Sequence, residues 1–148
     1  MTEQDVYLDS SALVKRYVKE PGTEEVDVIF DRVDSGNARL YLSIWNTGEV
    51  AGVIDRYDRK SGADYQKCIG TFFNDIERYL KSDKVEIINI TPLLISTSIE
   101  ILRKHHIYLA DALQIETCKI VGADLLVTGD RGLYNAAIKE GLDAKYVG

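Results

Sequence analysis

The sequence predicts a three-layer α/β/α domain with a central parallel β-sheet of about five strands. Short apolar segments alternate with longer amphipathic segments along the chain, which is typical of alternating strands and helices. The short segments are apolar on both faces, as expected for parallel strands covered by helices on either side. No Gly/Ser-rich linker, low-complexity block or fixed-period repeat interrupts the 148 residues, so a single domain over residues 1–148 is predicted.

The first half of the chain contains two predicted strands and four predicted helices. Strand formers at 6–8 run directly into a helix from Ser10 to about Val18, which Pro21-Gly22 breaks. The next elements are a helix over 24–34, a strand over 39–42, a helix that Ser43 caps and that continues to Tyr57, and a helix from Ala63 to about Leu80.

The second half contains three predicted strands and three predicted helices. Pro92 occupies the favoured first position of a helix, and Gly122 ends another. In order, the elements are a strand over 85–90, a helix from Thr91-Pro92 to about Lys104, a helix over 109–121, a strand over 124–128, a helix from Gly129-Asp130 to near Gly141, and a strand over 144–147.

Composition and charge exclude several classes of protein. A net charge of −6 counts against a broad basic surface that holds nucleic acid, although not against processing of nucleic acid through bound metal. Cys68 and Cys118 lie far apart with no CxxC or Cys–His spacing, so we expect two buried reduced thiols rather than disulfides or a zinc site. The polar start and the lack of a long apolar run predict a soluble, cytoplasmic protein without membrane contact.

Four carboxylates differ from the remaining acidic residues, most of which are expected on solvated helix faces. Asp9 and Asp130 follow apolar strands, Asp111 lies early in an apolar helix, and Glu49 lies on a largely apolar helix face. Each also has a structural interpretation. Asp9 and Asp130 suit a turn or an N-cap. Asp111 suits the first turn of a helix, where its charge interacts favourably with the helix dipole. Glu49 suits the edge of the apolar face or pairing with a local Arg.

Together the four positions carry more information than each one alone. In a doubly wound sheet, strand carboxyl ends and helix amino ends can converge on one edge. Carboxylates gathered there repel one another unless cations neutralise them, and hard oxygen ligands favour Mg²⁺ or Mn²⁺ over zinc. A carboxylate-only metal site indicates phosphoryl transfer or phosphodiester hydrolysis.

Four segments form an ordered pattern around these acids. They are Tyr7-Leu8-Asp9-Ser10-Ser11-Ala12-Leu13, then Glu49, then Ala110-Asp111-Ala112-Leu113, and finally Leu126-Val127-Thr128-Gly129-Asp130. In order and spacing the pattern resembles the PIN domain family, and most of all the single-domain ribonucleases typified by the VapC toxins of toxin–antitoxin pairs. The segment 44–48 before Glu49 is bulkier at first and then more polar than the family pattern.

This resemblance implies a Rossmann-like fold with five parallel strands and an endoribonuclease that depends on Mg²⁺ or Mn²⁺. It implies that Asp9, Glu49, Asp111 and Asp130 are the catalytic, metal-binding quartet. It also implies RNA as the substrate, usually single-stranded, as well as assembly into a homodimer and a partner antitoxin. As a hypothesis, the three aspartates bind one or two ions directly, and Glu49 is a further ligand or positions water.

Several further residues are candidates for supporting roles. Ser11 and Thr128 match small hydroxyl positions of the family and are expected to orient carboxylates, with helix capping as the alternative. Lys15 and Arg16 follow Asp9 and are candidates for contact with the RNA backbone, as is the pair of Arg103 and Lys104; a solvated face is the alternative for each cluster. The adjacent His105 and His106 are expected on the solvated surface.

Other functions fit the sequence less well. A haloacid-dehalogenase-like phosphatase needs a second Asp where Ser11 stands, and a phosphotransfer receiver needs an acidic pair near the end of the first strand and a late Lys. No GxGxxG or GxxxxGKS motif is present, which disfavours nucleotide-binding folds of those types. A non-catalytic interaction module on the same fold is the main alternative, and the intact quartet disfavours it.

Overall fold

The computed structural model describes residues 3–62 and 65–148. None of the helices in these ranges has the length and apolar character needed to cross a bilayer. The elements in chain order are β1 (Gln4–Leu8), α1 (Ser10–Leu13), a 3₁₀ turn (Val14–Arg16), α2 (Thr23–Asp34), β2 (Ala38–Ser43), α3 (Ile44–Ser61), α4 (Gln66–Lys81), β3 (Val85–Ile88), α5 (Pro92–His105), α6 (Leu109–Val121), β4 (Leu125–Thr128), α7 (Arg131–Lys139) and β5 (Ala144–Tyr146).

The five strands form one parallel sheet with the order β3-β2-β1-β4-β5. The central strand β1 pairs with β2 on one side and with β4 on the other, so that Tyr7 lies opposite both Tyr41 and Leu126. The chain therefore moves outward from β1 in one direction and later returns to its other side. This reversal creates a crevice at the carboxyl ends of β1 and β4, where ligands bind in sheets of this kind.

Helices cover both faces of the sheet, which confirms the predicted three-layer fold. Side chains alternate along β1, so that Val6 and Leu8 pack against α1–α4 while Tyr7 packs against α5–α7. Both sets are fully buried. A strand that buries both faces has no solvated side, and this explains why its sequence reads as a continuous apolar segment.

Several predicted boundaries differ from the structure. The helix predicted to reach Val18 ends as an α-helix at Leu13 and continues as a 3₁₀ turn, because the Lys15 carbonyl turns to accept a hydrogen bond from Thr23 Oγ1 at 2.9 Å. The strand predicted to reach Ile90 ends at Ile88, opposite the last residue of β2. The predicted start of α4 at Ala63 lies outside the described residues.

The two cysteines are free thiols. Cys118 is buried under the sheet, and this burial raises the pKa of its thiol to about 12. Cys68 is only half-buried, so the prediction of a buried thiol is right for Cys118 and wrong for Cys68.

Candidate active site

The carboxyl ends of β1 and β4 place two of the predicted acids beside each other in the crevice. Asp9 directly follows β1, and its amide donates a hydrogen bond to the Val127 carbonyl of β4 at 3.2 Å. Asp130 lies two residues beyond the end of β4. The positions of both carboxylates therefore follow from strand pairing.

Asp9 is the most buried of the four acids, with 4% of its surface exposed. Its Oδ1 accepts the Ala12 amide at 2.9 Å and so caps α1. The Ser11 hydroxyl lies 2.8 and 2.9 Å from the two carboxylate oxygens, and Thr128 Oγ1 donates to Oδ2 at 2.7 Å. The capping interpretation and the functional one therefore apply to the same side chain.

The same two hydroxyls connect the first acid to the last. Ser11 Oγ accepts the Gly129 amide at 2.8 Å, and Thr128 Oγ1 accepts the Asp130 amide at 3.0 Å. Asp130 in turn caps α7, since its Oδ1 accepts the Leu133 amide at 3.0 Å. The structure thus brings Ser11 and Thr128 into contact with Asp9, where the sequence predicts an orienting role for them.

Glu49 reaches the site from α3 and is held by a residue that the sequence pattern does not single out. The Ser10 hydroxyl donates to Glu49 Oε1 at 2.6 Å, and Asn46 Nδ2 donates to Ser10 Oγ at 2.8 Å. Ser10 Oγ therefore accepts one hydrogen bond from Asn46 and donates one to the Glu49 carboxylate. No Lys, Arg or His within residues 3–62 and 65–148 forms an ion pair with Glu49, so the alternative of a local Arg partner is not realised in those ranges.

Asn46 belongs to a buried polar network beneath Glu49. It is fully buried, accepts the Ser43 amide at its Oδ1 at 2.7 Å, and donates to Gln114 Oε1 at 2.9 Å. Tyr7 also donates to Gln114 Oε1, at 2.6 Å. The other amide atom, Gln114 Nε2, has no hydrogen-bond partner among the described residues, so the two donors at Oε1 determine the orientation of this amide.

One sequence signal could have identified Asn46. It stands three residues after the N-cap Ser43, and together they form a reciprocal capping box at the start of α3. The polar character of segment 44–48, which departs from the family pattern, thus has a structural cause.

Asp111 lies in the first turn of α6 and is half-buried. Burial is the main cause that raises its pKa to about 6, and the negative charges of Asp130, Asp9 and Glu49 raise it further. The pKa of Asp9 is also raised to about 6, again mainly by burial and against the hydrogen bonds that it accepts, with a smaller contribution from Asp130. The charges of the other three predicted acids thus act on Asp111, and the charge of Asp130 acts on Asp9.

The four acids lack ion-pair partners in the described part of the chain. Among residues 3–62 and 65–148, none of the four carboxylates forms an ion pair with Lys, Arg or His. Unpaired carboxylate oxygens are ligands that suit a hard divalent cation.

The carboxylate oxygens of the four acids suit Mg²⁺ or Mn²⁺, but these side chains do not form a closed set of ligands around one position. Across the described ranges, no three His, Cys, Asp or Glu side chains are grouped as ligands of one ion. This arrangement still fits Mg²⁺, which usually keeps several waters and takes only one or two carboxylates together with substrate phosphates. The residues present therefore fit an ion shared with substrate better than a closed protein cage.

Lys15 and Arg16, predicted as contacts for RNA, have protein partners. Lys15 is buried, with 7% of its surface exposed; its Nζ lies 3.5 Å from Glu20 Oε1, and its side chain lies against Gly129. Arg16 pairs with Asp27 at 2.7 Å. Their contact with RNA stays a prediction, while the alternative of a solvated face is wrong for Lys15.

The two histidines differ in their surroundings. The sequence predicts His105 on the solvated surface, but its side chain is 8% exposed and its Nε2 lies 2.8 Å from Glu140 Oε2. The prediction is wrong because α5 packs its last turn against the end of α7. His106 is exposed, as predicted.

A groove of about 900 Å³ opens beside the acids. Asp111 and Asp130 lie in its wall, together with Arg103, His106, Tyr108 and Gly132. The groove therefore leads from the carboxylates along the junction between α5 and α6.

The fold is similar to solved structures of low sequence identity. PAE2754 from Pyrobaculum aerophilum is 15% identical with a TM-score of 0.63, over 95% of this chain and 83% of that one. Mycobacterium tuberculosis VapC20, described as a sarcin-ricin loop cleaving toxin, is 13% identical with a TM-score of 0.65, over 88% and 94%. Rickettsia felis VapBC2, bound to a promoter DNA fragment, is 14% identical with a TM-score of 0.61, over 97% and 98%.

Comparison with curated protein sequences gives no match. The sequence pattern of the PIN domain, by contrast, matches residues 6–139. This range contains all four acids, both hydroxyl residues, the strands β2, β3 and β4, and β1 from Val6 onward. Since the match extends over most of the chain and the sheet, layers and neighbours agree with it, the protein belongs to the PIN domain family.

Proposed function

We propose that this protein is a Mg²⁺- or Mn²⁺-dependent endoribonuclease and the toxin of a VapBC-type toxin–antitoxin pair. The observation that carries the proposal is the placement of Asp9, Glu49, Asp111 and Asp130 around the crevice at the carboxyl ends of β1 and β4. Thr128 bonds to both Asp9 and Asp130, Ser10 next to Asp9 bonds to Glu49, and Asp111 lines one groove with Asp130. None of the four acids forms an ion pair with a basic side chain in the described ranges. Hydrolysis of a phosphodiester through bound divalent ions is the chemistry that suits such a group best.

Each acid has a role that follows from its surroundings. Asp9 is held rigidly by Ser11 and Thr128, which makes it the anchoring ligand for an ion. Asp111 and Asp130 face the groove and would complete the ligand set. Glu49, held by Ser10, is a further ligand or positions the attacking water.

A bound Mg²⁺ or Mn²⁺ would supply a water of lowered pKa and neutralise charge on the phosphate. The hydroxyls that donate to Asp9 favour its ionised form, against the burial that disfavours it. Asp9 is thus held in place, and these hydroxyls favour the charged form that a cation would bind.

RNA as the substrate is supported by the neighbour VapC20, whose description names cleavage of the sarcin-ricin loop. An antitoxin partner is supported by VapBC2, in which toxin and antitoxin form a complex.

We also propose a homodimer, as the family resemblance implies. Exposed apolar side chains such as Trp45 at 45% and Leu93 at 72% are compatible with protein partners, and light scattering after size-exclusion chromatography measures the assembly.

Cleavage of labelled RNA in Mg²⁺ or Mn²⁺, with EDTA as the metal-free control, tests the enzymatic proposal. We expect cleavage by the wild type, and loss of it in Asp9→Asn and Asp130→Asn while the circular dichroism spectrum and unfolding transition persist. Asp31→Asn, at an exposed acid of α2, is the matched control and should cleave normally. Undiminished cleavage by both active-site variants would overturn the assignment.

Two other outcomes would identify the alternative functions. An absence of metal-dependent cleavage across varied RNAs would favour a non-catalytic interaction module. Release of phosphate from small phosphomonoesters would favour a metal-dependent phosphatase.

The proposed RNA contacts of Lys15 and Arg16 have their own test. A contact with a phosphate reduces the slope of log affinity against log salt by about one when it is removed. An unchanged slope in Lys15→Ala and Arg16→Ala, with lower stability, would assign both residues to their partners Glu20 and Asp27 alone.

A further inference from the structure

The groove beside Asp111 and Asp130 contains a set of side chains that the metal site does not use. It is bounded on one side by the junction of α5 and α6, where Arg103, His106 and Tyr108 lie within six positions. These side chains differ from the acids in charge and shape. The groove thus has one end with two carboxylates, suited to a metal ion. Its other end has an aromatic ring and the positive charge of Arg103.

Tyr108 is the most exposed large apolar or aromatic side chain in the described part of the chain, at 84%. Its ring stacks on no other described aromatic ring, and its hydroxyl has no hydrogen-bond partner in residues 3–62 and 65–148. The fold therefore gains little from this side chain. An aromatic ring left in water beside a polar site is a common feature of surfaces that stack on nucleobases.

The backbone holds Tyr108 at a set position relative to the metal site. Its carbonyl accepts the amides of Asp111 at 3.1 Å and Ala112 at 3.0 Å, so that it stands at the N-cap of α6. Residues three apart at the start of a helix are neighbours on its surface. The ring is consequently tied to the same helical turn as the Asp111 carboxylate.

The chain that leads to Tyr108 contains a residue with a left-handed backbone conformation, which non-glycine residues adopt infrequently. His106 ends α5 in the left-handed region, with φ 56° and ψ 42°. A left-handed residue is a common way to end a helix, and it turns the chain sharply after α5. Here the turn directs the chain so that His106 and Tyr108 both line the groove.

Arg103 supplies a positive charge to the same groove. It is exposed, and it forms no ion pair with any residue that the structure describes. By contrast, the neighbouring Lys104 pairs with Glu140 at 2.8 Å. Of the two adjacent basic residues that the sequence offers as phosphate contacts, only Arg103 lines the groove.

We propose that this groove binds one unpaired nucleotide of an RNA strand, with its base stacked on the Tyr108 ring and an adjacent phosphate at Arg103, next to the bond that is cleaved. The proposal rests on the endoribonuclease function proposed above. A base in a duplex has both faces covered by its neighbours, so stacking on Tyr108 selects a strand in which the base is free. Tyr108 is then a positioning residue for substrate rather than a catalytic one.

Binding of a fluorescein-labelled single-stranded RNA, followed by anisotropy in Mg²⁺, tests the proposal. The Asp9→Asn background keeps the strand intact during the measurement. We expect Tyr108→Ala to weaken binding by a factor between about 5 and about 150, which is the range for one base–aromatic stack. Tyr108→Phe keeps the ring, and its RNA affinity should remain within about twofold of that of the protein with Tyr108.

Two controls separate stacking from general damage. Phe73→Ala removes an aromatic side chain that is 46% exposed on α4, outside the groove, and should leave binding unchanged. The same RNA annealed to its complement should bind with equal affinity to the protein that retains Tyr108 and to its Tyr108→Ala variant. Because the side chain is so exposed, we expect no shift of the unfolding transition in Tyr108→Ala.

A series of RNAs with one abasic position each locates the stacked base. At that position, loss of the base and loss of the Tyr108 ring should not add, because each removes the same contact. Additive effects at every position would overturn the proposal. The same series in the wild-type background, read as cleavage, should show the effect mainly in KM and less in kcat.

The outcomes separate this inference from the proposed function. Cleavage by the wild type together with unchanged RNA binding in Tyr108→Ala overturns the nucleotide groove, leaves the nuclease intact and assigns the groove to another partner, such as a protein segment. Binding that depends on Tyr108 without any cleavage supports the groove and overturns the nuclease. Absence of any binding to single-stranded RNA overturns the groove proposal as well.

Discussion

The Ser10 hydroxyl donates a 2.6 Å hydrogen bond to Glu49 Oε1 and so connects the turn after β1 to α3. Ser10 is itself held by the buried Asn46, at 2.8 Å. A carboxylate on a long flexible side chain is thus oriented by a neutral donor rather than by a basic partner. This leaves the negative charge of Glu49 available to a cation, whereas an Arg partner would have neutralised it.

Ser10→Ala should lower metal-dependent RNA cleavage by roughly 10- to 100-fold, the usual effect of removing a partner that orients a metal ligand. The metal concentration for half-maximal cleavage should rise at the same time. Ser10→Thr keeps the hydroxyl and should recover most of the activity. Ser96→Ala, which removes a hydroxyl that donates to the Pro92 carbonyl within α5, is the control; equal activity of the two alanine variants would contradict the orienting role.

Asp9→Asn should stabilise the metal-free protein at pH 7. Burial raises the pKa of Asp9 from its usual 3.8 to about 6, so the folded protein binds this proton more tightly than the unfolded chain. The stability that the protonated group contributes is present below about pH 4 and is lost as the pH rises through about 6. Removal of the charge should therefore increase the free energy of unfolding at pH 7 by on the order of 1–3 kcal/mol.

Urea unfolding in EDTA at pH 4 and pH 7 measures this effect as a difference from the wild type. The gain should appear at pH 7 and disappear at pH 4, and added Mg²⁺ or Mn²⁺ should reduce it by stabilising the wild type. Asp31→Asn should show no such pattern. A gain of equal size at both pH values would contradict the titration of Asp9 as its cause.

Glu140→Gln should destabilise the protein with the opposite pH dependence. Hydrogen bonds from Lys104, His105 and Lys119 lower the pKa of Glu140 from its usual 4.5 to about 2. The ionised group thus contributes stability above about pH 4.5, and this is lost as the pH falls through about 2. Because Lys104 is 64% exposed and screened by solvent, we expect a loss on the order of 1 kcal/mol at pH 7.

The matched control for this ion cluster is Glu77→Gln. Glu77 pairs with Lys81 at 2.9 Å on an exposed face of α4, where an ion pair contributes little. Unfolding in urea at pH 7 should show a clear loss for Glu140→Gln only. Similar behaviour of the two variants would contradict a special role for the cluster at the end of α7.

Gly22→Ala should cost far more stability than Gly36→Ala. Both glycines have left-handed backbones, with φ of +93° and +80°. A Cβ at Gly22 would lie 1.9 Å from the Val147 carbonyl oxygen, whereas a Cβ at Gly36 would meet no atom within 4 Å. We expect Gly36→Ala to cost about 1–2 kcal/mol for the backbone conformation alone.

Thermal or urea unfolding of the two glycine variants provides the measurement. The excess loss in Gly22→Ala reports the contact between the start of α2 and the end of the chain, since that backbone cannot move aside as a flexible side chain would. Equal losses would show that the Val147 backbone relaxes freely.

Much of the fold is predictable because its signals are local. Strands buried on both faces read as short apolar segments, and helix starts are marked by capping residues such as Ser43, Thr91 and Asp130. The boundaries that differ depend on distant contacts. The 3₁₀ turn after Leu13 follows from a hydrogen bond to Thr23, and β3 ends where its partner β2 ends.

The sequence by itself determined the parallel three-layer fold and pointed to the four acids of the proposed site, because strand ends and helix starts are encoded by neighbouring residues. Only the tertiary structure decided that Ser10 and Asn46 support Glu49, that Lys15 is buried, and that Tyr108 is exposed beside Asp111. The partner and the burial of a side chain depend on which distant segments pack together. Local pattern contains no such information, whereas the packed sheet and its two helical layers settle it.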